Sequence, residues 1–147
     1  MKKLSDTYKE LGIGFKFPIR IKDTNGSETY YENSDGYWCK DEYNSDGNNT
    51  YYENSHGYWR KSEYDSKGNE IYYKSSDGYW YKSEYDSNGN EIYFEDSDGW
   101  YKNEYDSKGN QTYYEDSDGN KKGKPRSQSC GGKVIEIDAI KYEPKLK

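Results

Sequence analysis

The stretch that decides the fold reads Tyr64-Asp65-Ser66-Lys67-Gly68-Asn69-Glu70-Ile71-Tyr72-Tyr73-Lys74-Ser75-Ser76-Asp77-Gly78-Tyr79-Trp80-Tyr81-Lys82-Ser83-Glu84. It holds two turn signals, Asp-Ser-Lys-Gly-Asn and Ser-Asp-Gly, and each is followed by a short run rich in Tyr, Trp or Ile. Asp and Ser oxygens accept bonds from nearby backbone N–H groups, and Gly takes positive φ without steric cost. Aromatic and β-branched runs between such turns read as strands. The unit therefore predicts strand, turn, strand, turn.

Outward from this unit the pattern repeats. One set of turn glycines stands at Gly26, Gly47, Gly68, Gly89 and Gly109, and a second at Gly36, Gly57, Gly78, Gly99 and Gly119. Within each unit the two glycines are 10 residues apart, and units follow at spacings of 21, 21, 21 and 20. Five repeats fill residues 23–119. The fourth is short: Asp98-Gly99-Trp100-Tyr101 carries one aromatic fewer than Asp77-Gly78-Tyr79-Trp80-Tyr81. Ten turns predict about ten strands, and the links are too short for a crossover, so neighbouring strands run antiparallel in a β-meander.

Period-2 alternation assigns the faces. It places Ile71 with Tyr73 against Tyr72, and Tyr79, Tyr81, Ser83 and Tyr85 against Trp80, Lys82 and Glu84. Aromatics thus fall on both faces, which fits an extended twisted sheet with tyrosine ladders on both sides, or a sheet coiled upon itself. Cross-strand aromatic pairs, each contributing about 0.2–1 kcal/mol, are the repeating stabilising unit.

Composition agrees with an aromatic, not aliphatic, apolar surface. Among 147 residues, Leu, Ile, Val and Phe number 15, while 20 Tyr and 4 Trp supply large side chains. Without those aromatics, a net charge of −6 and a mean hydropathy of −1.54 would describe a disordered chain. The aliphatics gather at the ends. Residues 1–22 form an N-terminal cap, with a helix expected from Leu4 to Leu11, Ser5 or Asp6 as its N-cap, Gly12 in the left-handed C-terminal position, and a strand through Phe15, Phe17, Ile19 and Ile21. Residues 120–133 read as a basic flexible linker, and residues 134–147, with Val134, Ile135, Ile137 and Ile140, as a C-terminal strand and tail that caps a sheet edge. The class is all-β, one domain.

The boxes Tyr64-Asp65-Ser66-Lys67-Gly68-Asn69, Tyr85-Asp86-Ser87-Asn88-Gly89-Asn90 and Tyr105-Asp106-Ser107-Lys108-Gly109-Asn110, with a second turn ten residues on, resemble the YD repeats of RHS proteins. That resemblance covers about two thirds of the chain. It implies a long β-strip; five copies are too few to close the toxin-enclosing shell that many copies build in that family. Short stand-alone YD-like chains resemble bacteriophage or mobile-element products. Tyr30 to Gly36 and Tyr51 to Gly57 are also similar to the choline-binding and glucan-binding hairpin repeats of cell-wall proteins, although the Gly-Trp start of those repeats is missing here.

Charge is segregated. Residues 1–22 carry six Lys/Arg against two acids (+4), residues 23–119 eight against 23 (−15), and residues 120–147 eight against three (+5). A −15 repeat region repels phosphates, so it is expected to meet a basic groove on a protein, such as the channel of a nuclease or guide-RNA effector, and not nucleic acid itself. Tyr and Trp are favoured interface anchors. The candidate partner-binding residues are Tyr37, Trp38, Tyr58, Trp59, Tyr79, Trp80, Trp100 and Tyr101; Lys121, Lys122, Lys124 and Arg126 are candidates for a secondary nucleic-acid contact. The acids serve equally to keep a Tyr-rich sheet soluble.

Other chemistry is not indicated. Asp96-Ser97-Asp98-Gly99 and Asp116-Ser117-Asp118-Gly119 open like calcium loops but lack the closing bidentate Glu, so they read as turns and no metal or cofactor is expected. His56 replaces a turn Asp and is the single His, which leaves no hydrolytic triad. Cys39 takes the strand position of Arg60 and Tyr81, and with Cys130 reads as a free thiol. Acids recurring in every repeat describe a surface, not a catalytic pair. The expectation is a non-enzymatic binding protein without a membrane span, in the cytoplasm of a host bacterium, an inhibitor of anti-CRISPR or anti-defence type; the alternatives are a carbohydrate-binding surface module and a purely structural repeat.

Overall fold

A computed structural model of the chain describes residues 3–126. A seven-residue helix α1 (Leu4–Glu10) precedes eleven strands: β1 (Ile19–Lys22), β2 (Glu28–Glu32), β3 (Trp38–Tyr43), β4 (Asn49–Asn54), β5 (Trp59–Tyr64), β6 (Glu70–Ser75), β7 (Trp80–Tyr85), β8 (Glu91–Asp96), β9 (Trp100–Tyr105), β10 (Gln111–Asp116) and β11 (Lys121–Gly123). Spatial order is sequence order, all pairs are antiparallel, and the first and last strands do not meet. Of the two arrangements open at the sequence level, the extended open sheet is the one adopted.

The turns form as their sequences require. In nine of them the glycine N–H donates to the carbonyl three residues back at 3.0–3.2 Å, with the glycine at φ between +81° and +93°. The leading Asp or Asn accepts backbone N–H bonds through Oδ1, as Asp65 does from Lys67 (2.8 Å) and Asn69 (3.0 Å). Ser75, which has no such carboxylate, hands the task to Asp77. The shortened fourth unit closes differently: Gly99 lies at φ +154°, bonds to the Asp96 carboxylate, and a Cβ there would collide with Ser117 Oγ.

Three expectations change. Ten turns join eleven strands, and Lys121–Gly123, expected as linker, is paired to β10. The strand expected from Phe15 starts only at Ile19, after the cis Phe17-Pro18 bond. The face assignment of Ile71 is overturned by a bulge. Glu63 pairs with Tyr72 and Tyr64 with Glu70, so Ile71 is the extra residue and lines a recess with Tyr72, Glu63, Lys82 and Glu84. Thr29, Thr50, Ile92 and Thr112 are skipped in the same way in the other repeats. One extra residue per long hairpin resets the alternation and adds local twist. The expected C-terminal strand and Cys130 lie outside the described residues.

Among the described residues the sheet is a single layer, and its packed core cluster lies at the N-terminal end. Ile19, Tyr30 and Trp38 are buried there, with Leu4, Tyr8 and Phe15 packed against them. No side chain caps α1; its N-cap is Lys3, and Gly12 takes φ +65° beyond its end. Ser5, expected as a cap, instead turns down onto Glu32, which is 1% exposed. The Ser5 hydroxyl (2.5 Å) and N–H (3.0 Å) donate to Glu32, as does Tyr30 Oη (2.9 Å). Burial alone would raise the Glu32 pKa, but these donors and nearby Lys3 hold it below the ordinary glutamate value. Burial, then the Glu32 carboxylate, push Tyr30 up to about 12.

Candidate binding surface

The register sorts the repeat side chains into two unlike faces. Glu53, Trp59, Lys61, Tyr72, Lys74, Trp80, Lys82, Tyr93, Glu95, Trp100 and Lys102 follow one another on the tryptophan face. Several of its rings have one of the protein's own ammonium groups over them. Lys82 sits 5.6 Å from the Trp80 ring centroid, and Lys102 lies 5.2 Å from that of Trp100 and 5.9 Å from that of Tyr93. Lys61 pairs with Glu63 at 2.8 Å, and Lys40 pairs with Glu42. Both ends of this face are occupied: α1 covers Tyr30 and Trp38, and Arg126 returns two strands to donate its N–H to Glu104 (2.7 Å) and its guanidinium to the Tyr105 carbonyl.

The opposite, tyrosine face is built from the second Tyr of each Tyr-Tyr pair and from the residues flanking Trp. In strands β6–β10 it forms a continuous ring stack. Centroids are 5.4 Å apart from Tyr73 to Tyr81, 5.5 Å from Tyr81 to Phe94, 5.2 Å from Phe94 to Tyr101 and 6.2 Å from Tyr101 to Tyr114. Each pair is within the range of favourable stacking. In strands β2–β5 the row is interrupted, because the place of Tyr81 and Tyr101 is taken by Cys39 and Arg60. Tyr37, Tyr58 and Tyr79 lean on Tyr31, Tyr52 and Tyr73. Tyr37 and Tyr58 also share 3.0 Å phenol bonds with Tyr52 and Tyr73; Phe94 offers Tyr79 no hydroxyl, and Tyr79 is 44% exposed.

Carboxylates are threaded between these rings. Tyr81 Oη donates to Glu70, Tyr101 Oη to Glu91 and Tyr114 Oη to Asp116 (2.9 Å). Ser83 gives Glu91 a further bond at 2.8 Å, and Asn103 Nδ2 reaches the Glu91 carbonyl at 3.1 Å. Burial first, then the carboxylates, raise the pKa of Tyr81 and Tyr101 well above the ordinary phenol value. They are neutral donors throughout the physiological range. Asp41, in the place of Ser83, is raised by burial in spite of the Asn49 bond at 2.8 Å.

The eight residues singled out as a binding set do not form one patch. Tyr37, Tyr58, Tyr79 and Tyr101 lie on the tyrosine face, and Trp38, Trp59, Trp80 and Trp100 on the other, with Trp38 buried beneath α1. The basic set is likewise divided. Lys121 faces Glu115 (2.8 Å), Lys122 stands opposite Tyr114 on the tyrosine face, the donors of Arg126 are used by Glu104 and Tyr105, and Lys124 is exposed. The candidate set had omitted Tyr73, Phe94, Tyr114, Glu70 and Glu91. Their signal was the second member of each Tyr-Tyr or Tyr-Phe pair, readable only once the bulge is known.

Among the described residues, no group of three or more His, Cys, Asp or Glu is arranged to hold a metal ion. Asp96 and Asp116 spend their oxygens on the turn N–H groups of Asp98, Gly99 and Asn120. His56 packs on Tyr37 at 5.7 Å, and Cys39 is half-buried with its thiol pKa raised by burial. The class defined by this geometry is a single-layer antiparallel repeat sheet with one acidic aromatic face. Scans against protein-family models and curated proteins return no match for the chain.

Proposed function

We propose that this protein is a non-enzymatic binding strip that occupies a basic, nucleic-acid-binding groove on a host effector, as an inhibitor of the anti-defence or anti-CRISPR type carried by phages and mobile elements. The observation that carries this reading is linear charge density. Strands lie about 4.8 Å apart, so the nine strands of residues 23–119 extend over roughly 43 Å. Their net −15 amounts to one charge per about 2.9 Å, against about 3.4 Å per phosphate along one strand of a duplex. A groove built for a phosphate backbone meets a similar field on this strip. Carboxylates on a rigid sheet also need no ordering on binding, which keeps the entropic cost low.

Lysine ammonium groups already stand over Trp80 and Trp100, where a sugar ring would stack, which favours the charge-based reading over the carbohydrate one. The test is an affinity pull-down from bacterial lysate at low and high salt, with and without nuclease treatment. A basic nucleic-acid enzyme that survives nuclease treatment and is eluted by salt is the expected result. Recovery of cell-wall glycan, or of nothing at either salt, would overturn the reading.

A further inference from the structure

The two ends of the tyrosine face differ in one respect that bears on its partner. In β1–β5 the face carries its own guanidinium groups. Arg20 lies 4.7 Å from the Tyr31 ring centroid and bonds to Glu28 at 2.6 Å; Arg60 lies 5.7 Å from that of Tyr52, with Nη2 3.4 Å from Asn49 Oδ1. In β6–β10 the same row holds Tyr73, Tyr81, Phe94, Tyr101 and Tyr114, beside Glu70, Glu91, Asp96 and Asp116, and no Lys or Arg of these strands stands on this face. Each of these strands' lysines, Lys74, Lys82 and Lys102, stands on the tryptophan face.

We infer that the tyrosine face of β6–β10 is a docking surface for arginine side chains of a basic protein, each guanidinium stacking on a ring of the row while a neighbouring carboxylate accepts its N–H groups. This rests on the proposed binding function and assigns it a face and a chemistry. Arg20 and Arg60 show the arrangement within the molecule, each pairing a ring with an adjacent oxygen acceptor. A planar guanidinium stacks and bonds at once, whereas an ammonium is a compact, strongly hydrated charge. Glu70 occupies the place in β6 that Asn49 occupies in β4. An arginine reaching Tyr73 or Tyr81 therefore meets a full charge where Arg60 meets only an amide.

The experiment titrates the full chain with an oligo-arginine peptide and with an oligo-lysine peptide of equal length, at low and moderate salt, following both heat and aromatic ring-proton shifts. Oligo-arginine is expected to bind several-fold more tightly, with shifts concentrated on Tyr73, Tyr81, Phe94 and Tyr101. The double variant Tyr81→Arg, Tyr101→Arg places in two repeats the residue that Arg60 already is in another, and is expected to weaken oligo-arginine binding at least tenfold. The variant Glu63→Gln, Glu84→Gln changes net charge by the same amount on the tryptophan face, and is expected to weaken it about twofold. Equal losses for both variants, ring shifts confined to Trp59, Trp80 and Trp100, or no preference for arginine would overturn the face or its chemistry while leaving a binding strip in place. Binding of neither peptide at either salt would overturn the proposed function as well. The ring-shift map needs no variant, so it decides the face even if a substituted chain does not fold.

Discussion

The N-terminal end of the sheet and its repeats β6–β10 use the same hairpin for different ends. In the first hairpin, α1 closes over Tyr30 and Trp38 and drives the Glu32 carboxylate to 1% exposure. In the third and fourth repeats the corresponding Tyr72, Trp80, Tyr93 and Trp100 are half-buried, and among the described residues no second layer covers them. One end is held by a core; the rest is held by neighbour-to-neighbour ladders, as in other quasi-one-dimensional repeats. Packing beyond nearest-neighbour strands is thus confined, among the described residues, to the first hairpin, and the rings of β6–β9 stand at an open surface. The edges are also guarded, because Arg20 and Lys22 on β1 and Lys121 and Lys122 on β11 place like charges where two strips would otherwise join end to end.

Equivalent substitutions at the two sites give the sharpest contrast. Trp38→Ala empties a packed site and is expected to cost about 3–5 kcal/mol. Trp80→Ala, at a half-buried ring, is expected to cost no more than about 2 kcal/mol. Denaturant unfolding of the two variants checks the ordering, and equal losses would erase the distinction between core and ladder.

A smaller effect is expected at Glu32. Glu32→Gln leaves the Ser5 and Tyr30 donors competing for a single amide oxygen and is expected to cost about 2 kcal/mol. Glu53→Gln, at the same place one repeat on, stays within about 0.5 kcal/mol. The pH dependence follows with a definite sign. Because the folded pKa of Glu32 is lowered, its contribution is fully present above the unfolded value of about 4.3 and is lost as pH falls through the lower folded value. Tyr30, raised to about 12, contributes below about 10 and loses that contribution as pH rises through its folded value. Amide exchange in β1–β3 followed across pH is therefore expected to show release of α1 at both extremes.

The smallest effect belongs to the ladder. Phe94→Ala removes the central ring of the stack and is expected to cost about 1 kcal/mol, confined to β7–β9. Exchange rates in β1–β3 should not move, and a global loss would show that the sheet is one cooperative unit.

Much of this architecture was legible because turn chemistry is local. Asp-Ser-x-Gly and Asn-Ser-x-Gly strings specify left-handed glycines from a few adjacent atoms, and nine of the ten predicted turns close in that way, Gly99 being the exception. What the turns do not encode is the bulge. Thr29, Thr50, Ile71, Ile92 and Thr112 are ordinary strand residues, and nothing in Ile71-Tyr72-Tyr73 says which Tyr crosses to the other face. The burial of Glu32 was equally hidden, since Glu53 and Glu95 occupy similar strings and only the approach of Ser5 distinguishes the first. Lys121–Gly123 has no strand propensity; its pairing is imposed by the free edge of β10 and by the close backbone approach that Gly123, at φ +82°, permits. Period-2 alternation does separate Tyr79 and Tyr81 from Trp80 within one strand; which Tyr of each Tyr-Tyr pair joins which of those faces is fixed only by the bulge-defined register.

Among the described residues, β6 to β10 form an open single layer with both faces in water. Hydroxyl-radical footprinting of the full chain tests it most directly. Tyr73, Tyr79 and Phe94 on one face and Trp80, Tyr93 and Trp100 on the other are all expected to be modified, while Tyr30 and Trp38 are protected. Protection of either face across β6–β10, as a sheet folded upon itself would give, would contradict it.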